Sequence, residues 1–130
     1  MSGTINLDSS FLIRAMRGDL ELWNRVRGYE TPSVTCIAVA ELMVGAKASQ
    51  RPKERLAAVQ RVVETLAIVY PDNATLEHYS DLAAHLRKKG TPISTNDVWI
   101  ASLCLQHDMP LAAIDAHFSL IEGLKLVDCR

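Results

Sequence analysis

Short strand-like segments, apolar or alternating, recur along this chain at residues 5–7, 32–36, 66–69, 111–114 and 124–127, and stretches with helical spacing separate them. A short apolar run bounded by turn residues reads as a strand, whereas apolar residues recurring every three or four positions read as a helix. Strands that alternate with helices must return through long crossovers, so they pair mostly in parallel and carry helices on both faces. The expected fold class is therefore α/β: a three-layer α/β/α sandwich around a mostly parallel sheet of about five strands. At 130 residues the chain suits one domain, 1–130, with a core of its own.

The helices are expected over residues 10–17, stopped by Gly18, then from Asp19 to Gly28, over 37–48, and over 51–65 with Leu56, Val59 and Val63 in its stripe. Asp72 caps a long helix whose Leu76, Tyr79, Ala83 and Leu86 face inward, closed by Lys88-Lys89-Gly90. A further helix comes after Asp97, with Ile100, Ala101, Cys104 and Leu105 in its stripe. The run at 66–69, wholly apolar and closed by Pro71, is expected to be a buried parallel strand.

Composition narrows the function class. A hydrophobic share of 48% and a charged share of 22% are those of an ordinary globular protein. No apolar stretch is long enough to span a membrane, and the N-terminus lacks the basic and apolar pattern of a signal peptide. A cytoplasmic location is expected. Cys36, Cys104 and Cys129 form no close pair and read as reduced core residues, so a zinc site is not expected. The net charge of −1 does not advertise a polyanion partner. Arginines at 14, 17, 25 and 27, and again at 51, 55 and 61, suit either solvated helix faces or a transiently bound polyanion.

Four acids stand out by position. Asp8 ends the first strand and Asp115 ends the fourth; either can be the N-cap of the next helical turn or can point into the crevice at the carboxyl ends of a parallel sheet. Glu41 shares a helix face with Ile37, Val44, Gly45 and Ala48, where a buried, unpaired carboxylate would cost several kcal/mol. Either it lies at the edge of that stripe and reaches water, or it has a cation. Asp97 shares the apolar face of its helix, and Ser94 three residues earlier gives it a capping-box reading as well. A convergence of all four would repel itself, and hard divalent cations with oxygen ligands relieve such repulsion. Mg²⁺ or Mn²⁺ suits the set better than zinc, because no His or Cys joins it on the sequence. His78, His85, His107 and His117 are scattered and receive no role. Two such ions can serve phosphodiester hydrolysis.

Leu7-Asp8-Ser9-Ser10, Ala40-Glu41-Leu42 with Gly45-Ala46, Pro92-Ile93 through Asn96-Asp97 with Ile100-Ala101, and Asp115-Ala116-His117-Phe118 with Ile121 and Gly123-Leu124 succeed one another along the chain. In that order they resemble the motifs of PIN-domain ribonucleases of the VapC type, the toxins of bacterial toxin–antitoxin pairs. The similarity runs nearly end to end. It implies a PIN-like fold, RNA as substrate, Mg²⁺ or Mn²⁺ held by Asp8, Glu41, Asp97 and Asp115, and support from Ser10 and Thr35. It also implies a homodimer and a small cognate antitoxin that blocks the site with its C-terminal tail. One position departs: the family often carries Thr or Ser two residues before the last acid, and Ala113 stands there. A non-catalytic binding module on the same fold is thus the main alternative. A Mg²⁺-dependent phosphatase ranks lower, because Ser10 stands where its second Asp should be.

Overall fold

The computed structural model describes residues 3–129. In chain order the elements are β1 (Thr4–Leu7), α1 (Ser9–Met16), α2 (Glu21–Val26), β2 (Thr31–Thr35), α3 (Cys36–Lys47), α4 (Pro52–Val63), β3 (Ala67–Val69), α5 (Asn73–Lys89), α6 (Thr95–Gln106), β4 (Leu111–Ala113) and β5 (Leu126–Asp128), with a 3₁₀ turn over Ala116–Leu120. The sheet order is β3-β2-β1-β4-β5. Every neighbouring pair is parallel, with Asn6 opposite both Ser33 and Leu111.

The chain moves outward from β1 through β2 to β3, then crosses back to lay β4 on the other side of β1. Right-handed crossovers put the connections made in opposite directions on opposite faces. The reversal leaves a crevice beyond the carboxyl ends of β1 and β4, the place where open parallel sheets bind ligands. The core lies on the three inner strands: Ile5, Leu7, Val34 and Leu111 are fully buried, with Phe11 and Leu12 of α1 and Ile100 and Ala101 of α6 in the same cluster. Trp23 meets Phe11 edge to face at 5.3 Å, and Tyr79 of α5 stacks on Trp99 of α6 at 4.0 Å. Among the described residues, no helix is long and apolar enough to cross a membrane. Cys104 and Cys129 are buried and Cys36 half-buried; burial pushes the Cys104 thiol up to about 12.

Local chemistry sets the element ends. Asp72 and Thr75 form a reciprocal capping box at the start of α5, and Gly90 ends that helix in the left-handed conformation (φ +71°) that an L side chain rarely adopts. Pro52 opens α4, where its missing N–H costs nothing.

Three expectations are corrected. The strand at 66–69 is not buried: β3 is the edge of the sheet, and Ala67 and Ile68 are exposed. Its apolar run belongs to a short strand paired on one side alone, and composition cannot tell an edge from a centre. Leu76 of α5 is 55% exposed, while Thr75, Leu82 and Leu86 are buried. Tyr79, Ala83 and Leu86 face the core as the spacing predicts, and Thr75, held by the capping box and by its hydroxyl's bond to Gln106 of α6, takes the inward place expected of Leu76. Leu20, expected inside the second helix, precedes α2 and is 72% exposed.

Candidate active site

Asp8 leaves β1 and is the N-cap of α1. Its Oδ2 accepts the Ser10 N–H (3.1 Å) and the Ser10 hydroxyl (2.6 Å). The residue is 3% exposed, and its Oδ1 is buried without a hydrogen-bond partner. Cap and crevice are thus one position rather than rival readings: the cap uses one oxygen and leaves the other facing inward without a donor. Ser10 reaches further, because its Oγ also accepts the Ile114 N–H at 3.1 Å. One hydroxyl thereby ties the end of β1 to the segment after β4, at the residue next to Asp115.

Glu41 comes from α3, but not from its core face. Ala38, Leu42 and Ala46 are buried, whereas Val44, Gly45 and Ala48 of the expected stripe are exposed, Val44 by 66%. Glu41 is half-buried at the side of the helix, where Oε1 accepts the Ser9 hydroxyl (3.2 Å) and Oε2 the Asn96 side-chain amide (3.5 Å). Thr35 is fully buried and caps α3 through the Ala38 N–H at 3.1 Å, which fixes the helix that carries Glu41.

Asp97 lies in the first turn of α6, half-buried, with its N–H donating to the Ser94 cap at 3.2 Å. Asp115 comes after β4 and starts the 3₁₀ turn, its Oδ1 accepting the His117 N–H at 2.9 Å. The His117 ring stands beside the same oxygen, Nδ1 to Oδ1 3.1 Å. Side-chain ligand atoms of Asp97, Asp115 and His117 all lie within 4.8 Å of one another.

Asp8 and Glu41 lie outside that ligand-distance group, yet near enough for the four acids to repel one another. Burial is the largest cause of a raised carboxyl pKa at Asp8, at Glu41 and at Asp97. Like charges add to it: Asp115 acts on Asp8, Asp8 and Asp97 on Glu41, and Asp8 and Asp115 on Asp97. Hydrogen bonds from Ser10, Asn96 and Ser94 oppose the rise at Asp8, Glu41 and Asp97 respectively. A cluster of this kind, with a buried carboxylate oxygen lacking any donor, fits a hard divalent cation.

Sequence reasoning left three neighbours without a role. Ser9 and Asn96 hold Glu41, and both stood inside motifs whose acids alone drew attention. His117 joins the acids, contrary to the expectation of a set without histidine; its signal was the spacing, since a side chain two residues after a capping Asp shares that turn. Ala113 is buried at 2% exposure, and the anchoring of the segment after it rests on Ser10.

Comparison with known proteins agrees with this architecture. A family model described as PIN domain matches residues 5–124. The chain is 33% identical over 94 residues to Ribonuclease VapC1 of Haemophilus influenzae, covering 72% of this chain and 67% of that protein. Among solved structures, VapBC-1 from nontypeable Haemophilus influenzae is similar with a TM-score of 0.87 and 28% identity, over 97% of this chain and 98% of that one. VapBC2 from Rickettsia felis, bound to a DNA fragment from its promoter, has the same fold at a TM-score of 0.91 and 21% identity, over 98% and 100% of the two chains. With its five-stranded parallel sheet and acidic crevice, the chain belongs to the PIN domain family, in its VapC group.

Proposed function

We propose that this protein is a metal-dependent endoribonuclease, the toxin of a toxin–antitoxin pair acting in the cytoplasm, with Asp8, Glu41, Asp97 and Asp115 as its metal-binding acids. The observation that carries the reading is Asp8: a buried carboxylate among three other acids, with Oδ1 unpartnered. Burying such a charge is costly unless a cation meets it. Mg²⁺ or Mn²⁺ is the expected ion, because the donors are mostly carboxylate oxygens. When bound, it supplies a Lewis acid that activates water and offsets charge on the phosphodiester.

The chain's own groups do the positioning. Ser10 orients Asp8, Ser9 and Asn96 orient Glu41, and the starts of α6 and of the 3₁₀ turn present Asp97 and Asp115. RNA, whose backbone brings phosphate to the crevice, is the substrate class of the relatives, the ribonucleases VapC.

The antitoxin is the second partner, as in the VapBC complexes. A groove of about 250 Å³ between α1, α3 and α4 starts at Glu41 and is lined by Ile13, Met16, Leu42, Ala46 and Val59. It suits a tail whose apolar side chains fill the groove and whose polar groups meet Arg17 and Arg55 on its wall. We take the functional unit to be a homodimer, which light scattering of the purified protein tests.

The test of the enzyme reading is RNA cleavage in Mg²⁺ or Mn²⁺ by the wild type, Asp8→Asn and Asp97→Asn. Cleavage is expected of the wild type and a loss of several orders of magnitude in both variants. Equal rates in all three would remove these acids from the chemistry, and Mn²⁺ binding without cleavage by any form would favour a non-catalytic module.

A further inference from the structure

The geometry points to His117 as a nitrogen ligand of the ion proposed above, so that this is a mixed oxygen–nitrogen site that prefers Mn²⁺ to Mg²⁺. The inference rests on the metal reading and adds a residue and an ion preference to it.

Three observations support it. The His117 ring and the carboxylates of Asp97 and Asp115 offer ligand atoms within 4.8 Å of one another, close enough to share one ion. The ring is held there: the His117 backbone N–H and Nδ1 both meet Asp115 Oδ1, at 2.9 and 3.1 Å. The third observation is independent of the histidine. Asp8, tied through the Ser10 hydroxyl to Ile114 beside Asp115, is 3% exposed, and its buried Oδ1 has no donor, so a carboxylate oxygen close to the group is left without a hydrogen bond. The side chain of His117 is 67% exposed, so its ring can turn either nitrogen toward the acids without repacking the core.

The choice of ion comes from ligand chemistry. Mg²⁺ keeps a near-ideal octahedron of oxygens and gives up its water reluctantly. Mn²⁺ takes the same carboxylate oxygens as Mg²⁺ but is a first-row transition ion, so a ring nitrogen adds more to its binding than to that of Mg²⁺. Ala113 provides no hydroxyl to help hold Asp115, and His117 is the group that does so.

The test is Mn²⁺ titration with electron spin echo spectroscopy on the wild type, His117→Gln and Asp8→Asn, and Mg²⁺ affinity read by competition. Glutamine keeps a hydrogen-bonding group beside Asp115 but has no imidazole, and its exposed position spares the fold, which circular dichroism checks. Nitrogen modulation from a ring is expected on wild-type Mn²⁺ and is expected to vanish in His117→Gln. Mn²⁺ affinity should fall by at least the roughly 10-fold that losing even an outer-shell partner costs. Mg²⁺ affinity should fall much less, and Asp8→Asn should lose tight binding of both ions. Wild-type Mn²⁺ bound without nitrogen modulation, the same modulation in His117→Gln, or an equal fall for both ions overturns the inference and leaves the metal site standing. A wild type that binds neither ion overturns both.

Discussion

Asp8 carries a conflict between stability and use. Its carboxylate is buried, repelled by Asp115 and satisfied at one oxygen only. Asp8→Asn removes the charge and keeps an oxygen for the cap, so in a chelator it should be more stable than the wild type by about 1 kcal/mol, roughly 3–5 °C in midpoint. A midpoint that falls instead would mean the charge is well accommodated without an ion. Ser10→Ala should act the other way. It strands the Ile114 N–H and leaves Asp8 Oδ2 with the Ser10 backbone N–H alone, costs about 1–3 kcal/mol, and lowers RNA cleavage by about 10–100-fold while Asp8 itself remains. The acids were legible in the sequence because each interrupts an apolar pattern. Ser9, Asn96 and His117 were not, because an exposed or half-exposed polar residue in a turn breaks no pattern. Only the meeting of α3, α6 and the turn after β4 gives them partners.

At the level of elements, periodicity located the helices and strands but misjudged faces where capping intervenes. On α5 the buried stripe is Thr75, Leu82 and Leu86, so Leu82→Ala should cost about 2–5 kcal/mol and Leu76→Ala no more than about 0.5, measured by denaturant unfolding. Equal costs would restore the stripe that spacing alone suggests. The stripe around Glu41 misled for a related reason: with Ala and Gly on several sides, α3 has little amphipathic contrast, and contact with α1 and α4 selects Ala38, Leu42 and Ala46. Thr35→Ala, which leaves the buried Ala38 N–H unpaired, should cost about 1–2 kcal/mol in the same measurement. For β3, sheet order decided exposure, and no property of residues 67–69 encodes that order.

For the whole molecule, the acid cluster sets how stability varies with pH. Asp8, Glu41 and Asp97 have raised pKa values in the folded state, so the native protein binds more protons than the unfolded chain between the ordinary carboxyl range and those raised values. In that window the slope of stability against pH is negative. Metal-free protein should therefore grow more stable as pH falls through the raised values toward the ordinary carboxyl range of about 4, and Asp8→Asn should flatten the rise. Asp72 works oppositely: its bond from Gln106 holds its pKa low, so its contribution is present above the ordinary Asp range and lost as pH falls through the lowered value. Saturating Mn²⁺ should reverse the trend near neutrality, adding about 2.7 kcal/mol at a hundredfold excess over its dissociation constant. Urea midpoints across pH, with chelator and with Mn²⁺, measure both effects; a metal-free profile that only falls on acidification would contradict the assigned shifts.

The sheet reversal has a temporal consequence. Asn6 and Leu7 find their second neighbours at Leu111 and Ala112, and Ser10 finds Ile114, so the first strand stays unfinished on one side until nearly all of the chain exists. A ribosome that has just completed β3 has made neither Asp97 nor Asp115, and no strand beside β1 on the side that β4 will take. Asp8 and Glu41 then wait for the partners that only the later crossover brings.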